Sequence, residues 1–216
     1  MGWNLWYSIL LILGLTGIGT IAGGLATVIY TETIQTVVMI FGSIILMIAS
    51  FKEIGGYENL YTKYMQSVPS NYYNLSKSND TTILKYIECS LPKKNSFQML
   101  RSLDDKDMPW LGFLLGKTPS SIWYWCSDQM MVQRTLAAKS LSHAQGGTLF
   151  AGYIKILPLF MMVMPGMISR VLYTDVIGCI GPEECFKACG NYNGCSNSAY
   201  PYLIMKLMPV GMSFFV

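Results

Sequence analysis

The 216 residues are 52% hydrophobic and 12% charged, with a formal net charge of +3 and a mean hydropathy of +0.37. A soluble domain carries roughly 25% charged residues, so about half the usual water-facing side chains are missing, and the chain reads as an integral membrane protein. With one histidine and no basic run interleaved with aromatics, a nucleic-acid partner is excluded.

From Met1 to Thr31 no charged residue occurs, and SILLILGLTGIGTIAGGLATVIY exceeds the roughly 20 apolar residues that cross a hydrocarbon core. No basic segment precedes this run and no cleavage site closes it, so it does not resemble a signal peptide. Its glycines, including Gly14, Gly17 and Gly23, let neighbouring helices approach closely. Glu32 interrupts, and a second uncharged run extends from Thr33 to Phe51. A single helix of that length overshoots the bilayer, so two spans are expected, 8–30 and 33–52, with a tight turn near Gly23–Thr31.

Residues 53–110 are polar and carry two N-glycosylation acceptors, Asn74-Leu-Ser76 and Asn79-Asp-Thr81. Third and fourth spans follow at 111–133 and 147–170, the latter containing Pro158 and Pro165, which neighbouring helices make tolerable. A second polar loop covers 173–201. Tyr202 to Val216 is a short apolar stretch that either lies along the interface or packs into the protein.

Arg134, Lys139 and His143 crowd the short connection between the third and fourth spans, which places it in the cytoplasm. Loops 53–110 and 173–201, and Met1, then fall outside. The second loop holds Cys179, Cys185, Cys189 and Cys195 with no CxxC pair and no nearby histidine. That pattern argues against zinc and for two disulfides on an oxidising side of the membrane.

In the third span Ser121, Trp125 and Gln129 recur at i, i+4 and i+8 and predict one shared helix face, with Tyr124 and Asp128 as an adjoining stripe. A polar face in mid-membrane meets protein or a water-filled cavity. It serves either as an interhelical hydrogen-bond stripe or as a polyol site, with rings stacked on the C–H face of a sugar. Lys155 lies inside the fourth span and either faces a cavity or snorkels to the surface about two turns away. Glu32 either helps coordinate a cation or favours the positive N-terminus of the second helix. No nucleophile–base pair, phosphate loop or metal spacing is present, so an enzyme is not expected.

Four longer motifs, GGLATVIYTETIQT, WYWCSDQMMVQRTLAAKSLSHAQGG, KILPLFMMVMPGMISR and GCSNSAYPYLIMKLMPVG, resemble the sodium/solute symporter family, in its sodium/glucose and sodium/myo-inositol branch. The likeness runs through nearly the whole chain and is weakest between Tyr57 and Lys94. It implies an all-α plasma-membrane protein of the LeuT-type inverted-repeat fold, with a substrate site near the midplane. About four transmembrane helices would be present here, so the chain would be an internal fragment. The resemblance places Tyr124, Trp125 and Lys155 at the sugar, with Gln129 and Ser121 lining the same helix. It pairs Cys179 with Cys185 and Cys189 with Cys195, and gives Cys89 a partner beyond the chain. Sodium is the implied coupling ion, and no other cofactor is expected. Where the family has IYTD, this chain has Glu32 after Ile29-Tyr30-Thr31, and after PVG it departs as Met212-Ser213-Phe214-Phe215-Val216.

The expected function is therefore part of a sodium-coupled importer of myo-inositol, with a glucose carrier or a non-transporting truncated membrane polypeptide as alternatives. The topology has a direct test. A tag inserted at Lys139 should be detected only after permeabilisation, and one beside Asn74 on intact cells; the reverse pattern would invert the orientation.

Overall fold

The computed structural model describes residues 5–77 and 80–208, and all regular structure among them is helical. Asn79, the second glycosylation acceptor, and the divergent end at 212–216 lie outside the described residues.

Helix α1 (Leu5–Ile54) contains one residue out of helical geometry, Gly24, at φ 57° and ψ −152°. Only glycine adopts that backbone readily, so the chain divides there into arms 5–23 and 25–54. The break thus falls within the turn expected near Gly23–Thr31, at Gly24 rather than at the 30/33 boundary of the two expected spans. The chain stays helical through Glu32, where Thr31 and Thr33 return their hydroxyls to the carbonyls of Thr27 and Ile29 at 2.9 and 2.7 Å. Glu32 is therefore inside the second arm and not at its N-terminus, which removes the helix-terminus explanation for its charge.

Two glycines stop α1. The Gly56 N–H donates to the Phe51 carbonyl at 2.9 Å and the Gly55 N–H to Lys52 at 3.3 Å, with Gly55 at φ 86°. This is the paired C-terminal closure that needs a left-handed residue. Lys63 adds a donor to the Ile54 carbonyl at 2.7 Å.

The first polar stretch contains α2 (Tyr57–Met65), α3 (Tyr72–Leu75) and α4 (Thr81–Ser90). The third span is two helices, α5 (Trp110–Cys126) and α6 (Gln129–Leu136). Ser127 leaves helical geometry and Asp128 turns extended, its carboxylate accepting from the Met130 N–H at 2.9 Å to cap α6. The continuous helix expected over 111–133 is absent because Asp128 starts a new helix. The fourth span begins earlier than residue 147, at α7 (Leu141–Ile154), where the Ser140 hydroxyl accepts from the His143 N–H. It turns at Lys155 and Ile156, widens into a π-helical stretch at Leu159–Val163 after Pro158, and continues as α8 (Met164–Leu172). Helices α9 (Thr174–Ile177), α10 (Pro182–Cys189) and α11 (Ala199–Leu207) follow among the described residues.

The core sits where α8, α11, α2 and the end of α1 meet. Ile54, Leu60 and Ile168 form one buried cluster; Leu46, Leu203, Ile204 and Met208 form another. Of the two readings for the last apolar stretch, packing into the protein holds for its described part. The two polar loops meet at this same end. The Ser70 N–H donates to Asp175 at 2.7 Å, Asn71 to Glu184 at 2.8 Å, and the Ser90 hydroxyl to the Cys179 carbonyl at 3.1 Å.

Gly55→Ala should lower stability by about 1–2 kcal/mol, since an L residue is strained at that φ, and thermal unfolding of detergent-purified protein measures it. An unchanged midpoint would show that the closure contributes nothing.

Candidate functional site

Two helix interruptions face each other. Helix α5 ends one residue after Trp125, and α7 ends at Ile154, one residue before Lys155. The Lys155 ammonium lies 4.2 Å from the centre of the Trp125 ring and 5.4 Å from that of Tyr124. The two rings meet edge to face, centroids 5.5 Å apart at 86°. An ammonium at that range is attracted by the negative ring face, and the carbonyl end of α5 favours a cation as well.

Lys155 follows Leu141, the first residue of α7, by 14 positions, about 21 Å at 1.5 Å per residue. Lys155 is exposed, with the aromatic pair as its partner.

Ser121 stands one turn before Trp125. Both line an open groove of about 360 Å³ with Lys117, Thr118 and Ile122. Tyr124, Trp125 and Lys155 are thus together, with Ser121 beside them. Gln129 is not on that face: the break at Ser127 separates it from α5, and it stands exposed at the start of α6. The i, i+4, i+8 reading assumed an unbroken helix. Asp128 likewise leaves the stripe, its carboxylate occupied in capping.

Glu32 accepts a 2.6 Å charge-assisted hydrogen bond from Arg134, tying the second arm of α1 to α6. Their side chains are 43% and 32% exposed. Arg134 was missed as a partner because 102 residues separate the two. The available signal was one acid and one base, each beside an apolar run. Glu32 precedes Ile54 by 22 residues, about 33 Å of helix. This pair and the polar loops therefore stand roughly a hydrocarbon core apart.

The loop sulfurs pair as Cys179–Cys185 and Cys189–Cys195, with S–S distances of 1.97 and 1.95 Å. Three of these sulfurs lie close enough together to suggest a metal site, but disulfide sulfurs offer no thiolate to bind one. Cys89 is exposed and unbridged among the described residues. Asn74 is exposed on α3.

Apolar helices broken beside a lysine and two aromatic rings are a pattern of polytopic membrane proteins. The sodium:solute symporter family model matches residues 1–216, and the chain belongs to that family, whose members are multi-pass plasma-membrane transporters rather than enzymes. It is 51% identical over 217 residues to the sodium/myo-inositol cotransporter of Homo sapiens, covering 98% of this chain and 29% of that protein. It is 49% identical to the Bos taurus sodium/mannose cotransporter SLC5A10, covering 98% and 34%. Against the Ovis aries sodium/glucose cotransporter 1 the identity is 47%, covering 98% and 31%. The chain thus spans about a third of the length of these relatives.

A double-mutant cycle with Glu32→Gln and Arg134→Gln should return a coupling of up to about 1 kcal/mol in thermal unfolding, the range for a partly exposed pair. Additive effects would show that the contact is not energetic.

Proposed function

We propose that this chain supplies part of the substrate site and cation path of a sodium-coupled plasma-membrane symporter that imports myo-inositol. The observation that carries the reading is the mid-span meeting of Lys155 with Trp125 and Tyr124. The rings offer flat apolar surface to the C–H face of a polyol, while the Lys155 ammonium and Ser121 hydroxyl offer donors to its hydroxyls. Lys155 rests on Trp125, so a stacking ligand must displace the ammonium, which is then free to donate to it.

In this reading the fold is of the LeuT type, these helices belong to the two inverted repeats, and the rest of the site comes from segments outside Met1–Val216. The open groove at Ser121 and Trp125 supports that, because a polar face in mid-membrane needs protein or water against it. Glu32 sits on the cation path, and its pairing with Arg134 means that a passing sodium ion meets a neutralised carboxylate unless the pair opens. The polar loops face outward, with glycans at Asn74 and Asn79. Glucose is the second substrate reading, favoured by the 47% identity to a sodium/glucose cotransporter.

The test is a human sodium/myo-inositol cotransporter in which the matching stretch is replaced by Met1–Val216. Sodium-dependent uptake of labelled myo-inositol is expected, with glucose a weaker competitor. Trp125→Ala should raise the half-saturating concentration about tenfold, the loss of about 1.4 kcal/mol of ring contact. A chimera that reaches the surface and carries neither solute with sodium would overturn the reading. Met1–Val216 expressed alone should show no sodium-dependent uptake.

A further inference from the structure

At the polar end of the molecule, away from the groove beside Trp125, lies a cavity of about 390 Å³. Arg170 on α8 is the one charged residue lining it; no aspartate or glutamate does. The guanidinium donates to the Ser90 carbonyl, and its centre lies 5.8 Å from the Tyr64 ring centroid. Its Nε is buried with no hydrogen-bond partner among the described residues. No carboxylate among those residues forms an ion pair with it. Of the acids on the adjoining helices, Asp175 accepts from the Ser70 N–H and Glu184 from Asn71, while Glu88 and Glu183 are exposed and do not line the cavity.

A half-buried charge without a counter-charge is costly, and arginine does not escape the cost by losing its proton. The remaining polar lining can donate: the phenols of Tyr86 and Tyr192, the amide of Asn193 and the hydroxyl of Ser196. The site is also held in shape. Tyr192 stacks on Phe186 with centroids 4.4 Å apart and planes 14° from parallel, and the wall includes both cysteines of one disulfide, Cys179 and Cys185, and Cys195 of the other. A positively charged, donor-lined cavity without carboxylates selects negative charge.

We propose that this cavity binds a small monovalent anion, chloride or a carboxylate group, with Arg170 as its charge partner. The site lies outside the transport groove, and its occupation does not depend on which solute is carried.

The test uses the purified chain in detergent, with sodium chloride or sodium acetate titrated against sodium HEPES at constant ionic strength. Phenylglyoxal modifies accessible arginines, and mass spectrometry reads each one. Either anion should slow modification of Arg170 at least fivefold and saturably, leaving Arg101 unchanged as an internal control. Protection by chloride alone assigns a halide site, and protection by acetate alone assigns a site for the carboxylate of an organic ligand. An Arg170 rate that is constant across both titrations, or an equal slowing of Arg101, would overturn the proposal. In parallel, the anion should raise the unfolding midpoint of the native chain saturably and leave that of Arg170→Gln flat. A saturable rise retained in Arg170→Gln would equally overturn it. Where Arg170→Gln does not fold, the labelling of the native chain decides alone.

Discussion

The contact on which the described structure depends is the packing of α8 across the C-terminal end of α1. Ile168 and Ile54 are both fully buried there, and the neighbouring Ser169 hydroxyl, also fully buried, donates to the Ala199 carbonyl at 2.7 Å. That bond fixes the start of α11 on the same helix, and α11 returns Leu203 and Ile204 to Leu46 of α1. Elsewhere α1 and α5 expose large apolar side chains, as segments do when their surroundings are lipid or further helices rather than water. The hydrophobic effect that assembles a soluble core therefore acts at one end only, where the polar loops create an aqueous boundary.

Tying one end and leaving the other open has a consequence for the site. Trp125 and Lys155 stand on helices that are interrupted beside them, and a helix end presents unsatisfied backbone groups. In hydrocarbon such groups need a partner, so each break occurs where a side chain or another element supplies one. Asp128 supplies it for α6. Past Lys155, where Pro158 brings no N–H, the π-helical stretch re-forms the hydrogen-bond ladder with a different spacing. The interruptions at Asp128 and Pro158 flank the contact between Trp125 and Lys155.

How much of this was legible in the sequence follows from which signals are local. Hydropathy marks apolar runs, and it marked those of α1, α5 and α7 to α8 without tertiary information. It carries no information on breaks inside a run, because Ser127 and Asp128 cost little in a window of some twenty residues. Their meaning lies in local capping chemistry, where an acid two positions before a free N–H starts a helix. The same blindness misplaced Gln129, since periodicity assumes an axis that does not bend. The turn expected near Gly23–Thr31 did contain the break, but sequence does not say which residue in it takes the positive-φ conformation, and the structure assigns that to Gly24. The approach of Lys155 to Trp125, 30 residues apart, came from the family likeness alone.

The charges divide along the same line. Glu32 and Arg134 belong to segments whose local patterns assign each a surface role, the acid to a helix terminus and the base to a cytoplasmic loop. Tertiary structure brings them to 2.6 Å, and the pairing changes what each can do. A carboxylate already accepting from a guanidinium is a poorer ligand for a small cation, because the cation must compete with a charge-assisted hydrogen bond. At partial exposure such a bond is weak enough to exchange, so the pair is neither a permanent structural tie nor a standing cation site. Glutamate in place of the family's aspartate adds one methylene to the reach. It therefore lengthens the range of helix separations over which the carboxylate can hold Arg134.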